Sequence, residues 1–301
     1  MYIVDAQVHL NRFGSRWRET DADLIVDYAV AAMDAIGIDG VVIDEWAGFD
    51  AQQRHLPGTV LPNGAMRGRY PFSQRAVMLH PDRFAYVARI DPNDPEIEML
   101  VDQVRQTPGA VALSLDMPET RDAGPFEHGR YDRILASAEA LGVPIVAWFP
   151  GRSELLGPAL ERFPHLQVIL SHGGLSRADS DHAARFERVL GLARYPGLAI
   201  KWCHIPTYLS HEAYPFRDVM PYLRRAMEAF GPQRILWASD HTESKVHHSW
   251  AQALYYLLDS SELTEVDKEW IMGRSARTML NWPPELCSAR PRRSGSPANL
   301  C

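Results

Sequence analysis

Cysteine is scarce in this chain: Cys203, Cys287 and Cys301 are the only three in 301 residues. They are too few and too scattered for a disulfide framework or a zinc-finger spacing. No apolar run reaches the roughly 18 residues that a membrane-spanning helix needs. The start lacks the basic-then-apolar pattern of a secretory signal, because Asp5, Gln7 and His9 interrupt it. Positive charge is also in deficit, with 31 Lys and Arg against 38 Asp and Glu and a net charge of -7. Neither nucleic acid nor an anionic membrane is therefore an expected partner. What these absences leave is a soluble, reducing, cytoplasmic setting and a small-molecule substrate. A homodimer is compatible with the sequence, and nothing in it specifies one.

What is present is a regular alternation. Apolar, β-prone runs at residues 1–8, 41–43, 84–90, 109–115, 143–149, 166–170, 198–203 and 234–238 read as strands. Segments with helical spacing separate them, and a further helical stretch is expected over 264–281. Eight such units with a 46% hydrophobic composition predict an α/β fold, a single (β/α)8 TIM barrel. An open doubly wound sheet is the competitor, but no Gly-rich turn follows the first strand. The barrel is expected to span residues 1–283, with a long loop at 47–74 after strand 2. Residues 284–301, with Arg290, Arg292 and Arg293 among Pro, Ser and Gly, read as a flexible basic tail.

Polar residues at the C-terminal ends of barrel strands converge on one mouth. The ends here carry Gln7 and His9, Asp44 and Glu45, Arg89 and Asp91, Trp148, His172, Lys201 and His204, and Asp240 and His241. Period-two alternation puts Asp5, Gln7 and His9 on one face of the first strand, Asp5 lying deeper as a support. A lysine within the apolar strand around Ile200 is costly to bury alone, so Lys201 should reach a carboxylate or a substrate anion. Arg67 and Arg69 of the long loop suit a substrate carboxylate. Trp46, Tyr70, Trp148, Phe149 and Trp202 are expected to wall the cavity, and His247-His248 to lie on the surface.

Asp5-x-Gln7-x-His9 on strand 1, Ser171-His172-Gly173-Gly174 after strand 6 and Trp237-Ala238-Ser239-Asp240 at strand 8 resemble the amidohydrolase-related (amidohydrolase 2) proteins. The likeness continues through Phe84 to Asp91, Ile200-Lys201 and Ile271 to Ala276, so it covers about residues 1–283. That group includes 2-pyrone-4,6-dicarboxylate lactonases, sugar lactonases, and metal-dependent decarboxylases and hydratases. By its pattern His9, His172 and Asp240 are the catalytic residues and the candidate ligands of a divalent metal, zinc foremost. Gln7 stands where the pattern has a first histidine, and Trp148 ends strand 5 where it has another. The same three residues also suit a metal-free site.

The resemblance implies a hydrolase that opens a lactone or related cyclic ester or amide. Asp240 would be the general base, with His9 and His172 stabilising the oxyanion or holding the metal. Gln7, Arg67, Arg69, Tyr70, Trp148, Lys201, His204 and His241 would bind the substrate, for which a carboxylated ring is the expected class. A decarboxylase or other carbon–carbon lyase, and a non-catalytic binding protein with a degenerate site, are the alternative readings.

Overall fold

The structure, a computed structural model, describes residues 1–9, 21–45, 58–116, 124–177, 179–244 and 247–282. Eight parallel strands follow in chain order around one sheet. They are β1 (Val4–Val8), β2 (Gly40–Ile43), β3 (Phe84–Arg89), β4 (Ala110–Asp116), β5 (Ile145–Trp148), β6 (Val168–Leu170), β7 (Leu198–Trp202) and β8 (Ile235–Trp237). β1 and β8 meet where the Asp240 amide donates to the Gln7 carbonyl at 3.0 Å. The result is the expected TIM barrel.

Two apolar layers follow from the alternation of side chains along these strands. Small residues such as Ala6, Ala85, Ala112 and Ala199 fill the interior with Val4, Val42, Val87 and Leu236. Ile43, Phe84, Leu113, Ile200 and Trp202 face outward against the helices. Among the described residues no helix is long and apolar enough to cross a membrane.

Strict alternation fails in one place that matters. Val4 and Ala6 point into the barrel, but Val8 joins the outer layer. The pairing with β2 shifts register between Asp5 and Val8. Such a bulge re-aims side chains, so Gln7 and His9 reach the mouth while Asp5 does not share their face. Asp5 instead binds β1 to β8. Its carboxylate accepts from the Ser239 amide at 2.9 Å, the Gln7 amide at 3.2 Å and Trp250 Nε1 at 2.7 Å, and from the Ser239 hydroxyl.

The loop after β2 contains a short hairpin, Gly58–Val60 with Met66–Gly68, and leads into a helix at Pro71–Leu79. Glu45 anchors that helix by accepting from the Phe72 amide at 3.3 Å, the Ser73 amide at 2.9 Å and the Ser73 hydroxyl at 2.7 Å. The closing helical stretch is interrupted: Glu265–Glu269 and Ser275–Met279 flank a π-turn at Trp270–Arg274. Gly273 sits there against β1, where a Cβ would lie 1.9 Å from the Tyr2 carbonyl oxygen. Gly273→Ala is expected to destabilise by at least about 1–3 kcal/mol, read as a lower urea midpoint with an unchanged slope. Trp46 and the tail at 284–301 lie outside the described residues.

Candidate active site

The mouth of the barrel holds a cavity of about 230 Å3 lined by Gln7, His9, Asp44, Arg89, Asp116 and Trp148 on one side. Ser171, His172, Ser176, Arg177, His204, Tyr208, Asp240 and Glu243 complete it. Three of these residues leave their strands in the left-handed region: His172 at φ 53°, His204 at 59° and Asp240 at 45°. Non-glycine residues there cost on the order of 1–3 kcal/mol each and persist where the surroundings over-determine them. The strain sits at the ends of β6, β7 and β8, where three polar side chains turn toward one point.

Asp240 is the hub. Its Oδ2 accepts from His204 Nε2 at 2.9 Å and from Gln7 Nε2 at 3.2 Å. Its Oδ1 lies 3.2 Å from His9 Nε2, an ion contact without hydrogen-bond alignment. Burial alone would raise this carboxyl, but His9 and His204 outweigh it and hold Asp240 well below the usual carboxylate range. It is an anion at neutral pH.

His9 is the complementary cation. Burial opposes its charge, yet Asp240 and Asp44 push its pKa up to about 9. Its Nδ1 donates to the Asp44 carbonyl at 2.6 Å, and its amide donates to Thr242 Oγ1 at 3.0 Å. His172 goes the other way: burial first, then His204, Lys201 and His9, hold it below 6.5, against the pull of Asp240. One imidazole is charged and the other neutral.

Those opposite shifts set a pH profile for stability. Between pH 6.5 and about 9 the folded chain keeps the His9 proton that the unfolded chain has lost, so stability falls as pH rises, by up to about 3 kcal/mol. Below 6.5 the unfolded chain gains a proton that folded His172 refuses, so stability falls as pH drops. These two groups thus place a maximum near pH 6.5. Unfolding midpoints from pH 5 to 9 check this, and His9→Gln should flatten the alkaline limb.

Beside His9, Arg89 lies between two carboxylates. Its Nη1 meets Asp44 Oδ1 at 2.6 Å and the Glu45 carbonyl at 3.0 Å, and its Nε meets Asp116 Oδ2 at 3.0 Å. Its Nη2 is buried without a hydrogen-bond partner. Lys201, inward-facing on β7, donates to Gln7 Oε1 at 2.9 Å. Burial lowers its pKa against the pull of neighbouring acidic groups, Asp44, Asp240 and Asp5 among them.

Several expected substrate contacts lie elsewhere. Arg67 is not free for a carboxylate: Asp94 takes its Nε at 2.7 Å and Glu96 its Nη2 at 2.5 Å. Arg69 is exposed on another face, near Asp23 and Arg75. Tyr70 is buried and its hydroxyl meets the Arg89 backbone. His241 stacks on Trp250 at 5.3 Å and does not line the cavity. Asp91 serves the loop, accepting from the Met66 and Asn93 amides. Of the described aromatics expected on the wall only Trp148 is there, edge-on to His172 at 6.4 Å. Phe149 and Trp202 are core residues. His248 is buried against Phe216 rather than on the surface.

Other lining residues escaped sequence reasoning. Tyr208 lies one helical turn beyond His204, a spacing that would have flagged it. Ser176 and Arg177 sit in a turn and Glu243 in the short helix His241–Ser244, neither of which carries a pattern.

Among the described residues, one group could hold a metal ion. His172, Cys203, His204 and Asp240 each offer a donor atom, all within 4.8 Å of one another. Cys203 and His204 replace His9 in that group, and Gln7 cannot join it while Lys201 occupies its amide oxygen. The donors fit: Nδ1 of His172 and of His204 are buried without partners, and imidazole, thiolate and carboxylate are the ligand types zinc favours.

The amidohydrolase family model matches residues 4–282. No curated protein matches. Among solved structures, a Burkholderia multivorans amidohydrolase with bound zinc aligns at TM-score 0.71 and 18% identity, covering 94% of this chain and 100% of the other. The Pseudomonas putida protein assigned as a 2-pyrone-4,6-dicarboxylic acid hydrolase aligns at 0.67 and 15%, covering 93% and 97%. A 2,6-dihydroxybenzoate decarboxylase from Rhizobium aligns at 0.53 and 17%, covering 93% and 99%. At such identities the likeness is one of fold, and the barrel built here is the same. With the family model spanning all eight strands and their strand-end acid and imidazoles, the chain belongs to the amidohydrolase family and is an enzyme of that superfamily.

Proposed function

We propose that this enzyme hydrolyses a lactone or related cyclic ester or amide by attack of water, with Asp240 as general base. The observation that carries this reading is the buried Asp240 carboxyl lining the cavity with the His9 imidazole 3.2 Å away, a pairing that favours carboxylate on one side and imidazolium on the other. Hydrolysis needs both charges: a base for water and a cation for the oxyanion. A carboxylate as acidic as Asp240 is a weak base at rest. It serves by aiming the water and by taking the proton as attack on the carbonyl proceeds, then returns that proton to the ring oxygen as the C–O bond breaks.

His9 is held protonated and offers charge to the developing oxyanion. His172, neutral, completes the wall beside it. A divalent ion, zinc for preference, held among His172, His204, Asp240 and Cys203, would supply Lewis-acid polarisation of the carbonyl. A ring carboxylate, where the substrate carries one, would meet Arg177 at the rim and the unpaired Nη2 of Arg89. Arg67 and Arg69 have no part in it.

A panel of neutral and carboxylated lactones, incubated with the purified enzyme, tests this directly. Ring-opened acid, released one proton per turnover, is expected. Carbon dioxide from a carboxylated substrate, with no ring-opened acid from any lactone, would move the enzyme to the lyases that share this barrel.

A further inference from the structure

Three buried side chains form a chain of two hydrogen bonds across the barrel floor. Lys201 Nζ donates to Gln7 Oε1 at 2.9 Å, and Gln7 Nε2 donates to Asp240 Oδ2 at 3.2 Å. Lys201, Gln7 and Asp240 are 2%, 3% and 2% exposed, so water does not compete for these partners. The partners leave the amide one orientation. An ammonium only donates and a carboxylate only accepts, so the oxygen of Gln7 must face Lys201 and its NH2 must face Asp240. Turning the amide over would set donor against donor at one end and acceptor against acceptor at the other.

The consequence falls on the two oxygens of Asp240. Oδ2 receives both Gln7 and His204, while Oδ1 has no hydrogen bond and only the ion contact to His9. An oxygen that already accepts two hydrogen bonds has little lone-pair capacity left for a water proton. Oδ1 keeps its own.

We propose that Lys201 is a positioning residue: by orienting the Gln7 amide it commits Asp240 Oδ2 to structural bonds and leaves Oδ1 as the oxygen that meets the reacting water. This rests on Asp240 serving as the base. Lys201 touches neither water nor substrate in this arrangement, since it lies beneath Gln7 and does not line the cavity. The arrangement also answers why a glutamine is useful at this position on β1. A residue with an acceptor at one branch and a donor at the other is required to join an ammonium to a carboxylate, and Gln7 has the reach to do so.

Two experiments on the full-length enzyme test it. Neutron diffraction from crystals of the unaltered protein exchanged into D2O reads the amide directly. Deuterons on Gln7 Nε2 directed at Asp240 are expected, and Oε1 facing Asp240 overturns the proposal whether or not any lactone is a substrate. The second is a double-mutant cycle on a lactone that the enzyme opens. Lys201→Met should lower kcat by about 10–100-fold with KM changed by less than about threefold, the scale of a misplaced reacting group. In a Gln7→Leu background the same substitution should cost less than about threefold, because residues that act through one another are not additive. Full additivity, or an effect on KM alone, would show Lys201 acting independently of Gln7 and overturn the proposal. If no lactone is opened, it is the hydrolase reading that fails, while the neutron map still decides the amide.

Discussion

Asp240→Asn is expected to lower turnover by at least about a hundredfold, the low end for loss of a general base. The fold should survive. Asparagine has the same shape and tolerates the left-handed backbone that Asp240 adopts at φ 45°. Its oxygen can still accept from His204 and Gln7, so the hub keeps most of its bonds. What is lost is the charge, and with it the ability to take a proton from water. A second effect should accompany the first. Asp240 is the foremost group raising His9 against burial, so His9 should lose its proton at lower pH in the variant and the alkaline fall in stability should shrink. Steady-state rates and unfolding midpoints on the same sample separate the two. Activity within tenfold of the unaltered enzyme would show that another group is the base.

Arg89→Met should be the most damaging change to stability, about 3–5 kcal/mol, the range for removing one partner of a buried ion pair. Arg89 is 6% exposed and Asp44 8%, so the carboxylate it leaves behind has little solvent to replace it. Asp44 is pushed upward by burial and is brought below its usual range by Arg89, His9 and Lys201. With the guanidinium gone, the remaining cations must carry it. The contacts to the Glu45 carbonyl and to the Asp116 carboxylate at the end of β4 are also broken. Chemical denaturation measures the loss, and Arg89→Met combined with Asp44→Asn should recover part of it because the orphaned charge is removed. A loss under about 1 kcal/mol would mean that the pair is solvated after all.

The barrel was legible because its signals are local. A β-prone run, a turn and a helical period recur within each unit, and each can be read without knowing what it packs against. The placement of His9, His172 and Asp240 followed from the same reading, since residues at strand ends converge in any closed parallel barrel. Alternation along β1 was a weaker guide. A register shift between Asp5 and Val8 changes the phase, and a bulge depends on the neighbouring strand rather than on the residues that form it.

Partner choice was not legible at all. Arg67 and Arg89 are both arginines close to a strand or loop end; one is taken by Asp94 and Glu96 and the other by Asp44 and Asp116. Cys203 fits no disulfide or zinc-finger spacing in the sequence, yet it lies among the donor atoms of His172, His204 and Asp240. The sequence by itself determined the architecture and which acid and imidazoles stand at the mouth. Only the tertiary structure decided which oxygen of Asp240 is left unbonded and which way Gln7 faces. Those depend on hydrogen bonds between residues 194 and 233 positions apart, and no local pattern encodes a partner that the fold alone brings within 3 Å or so.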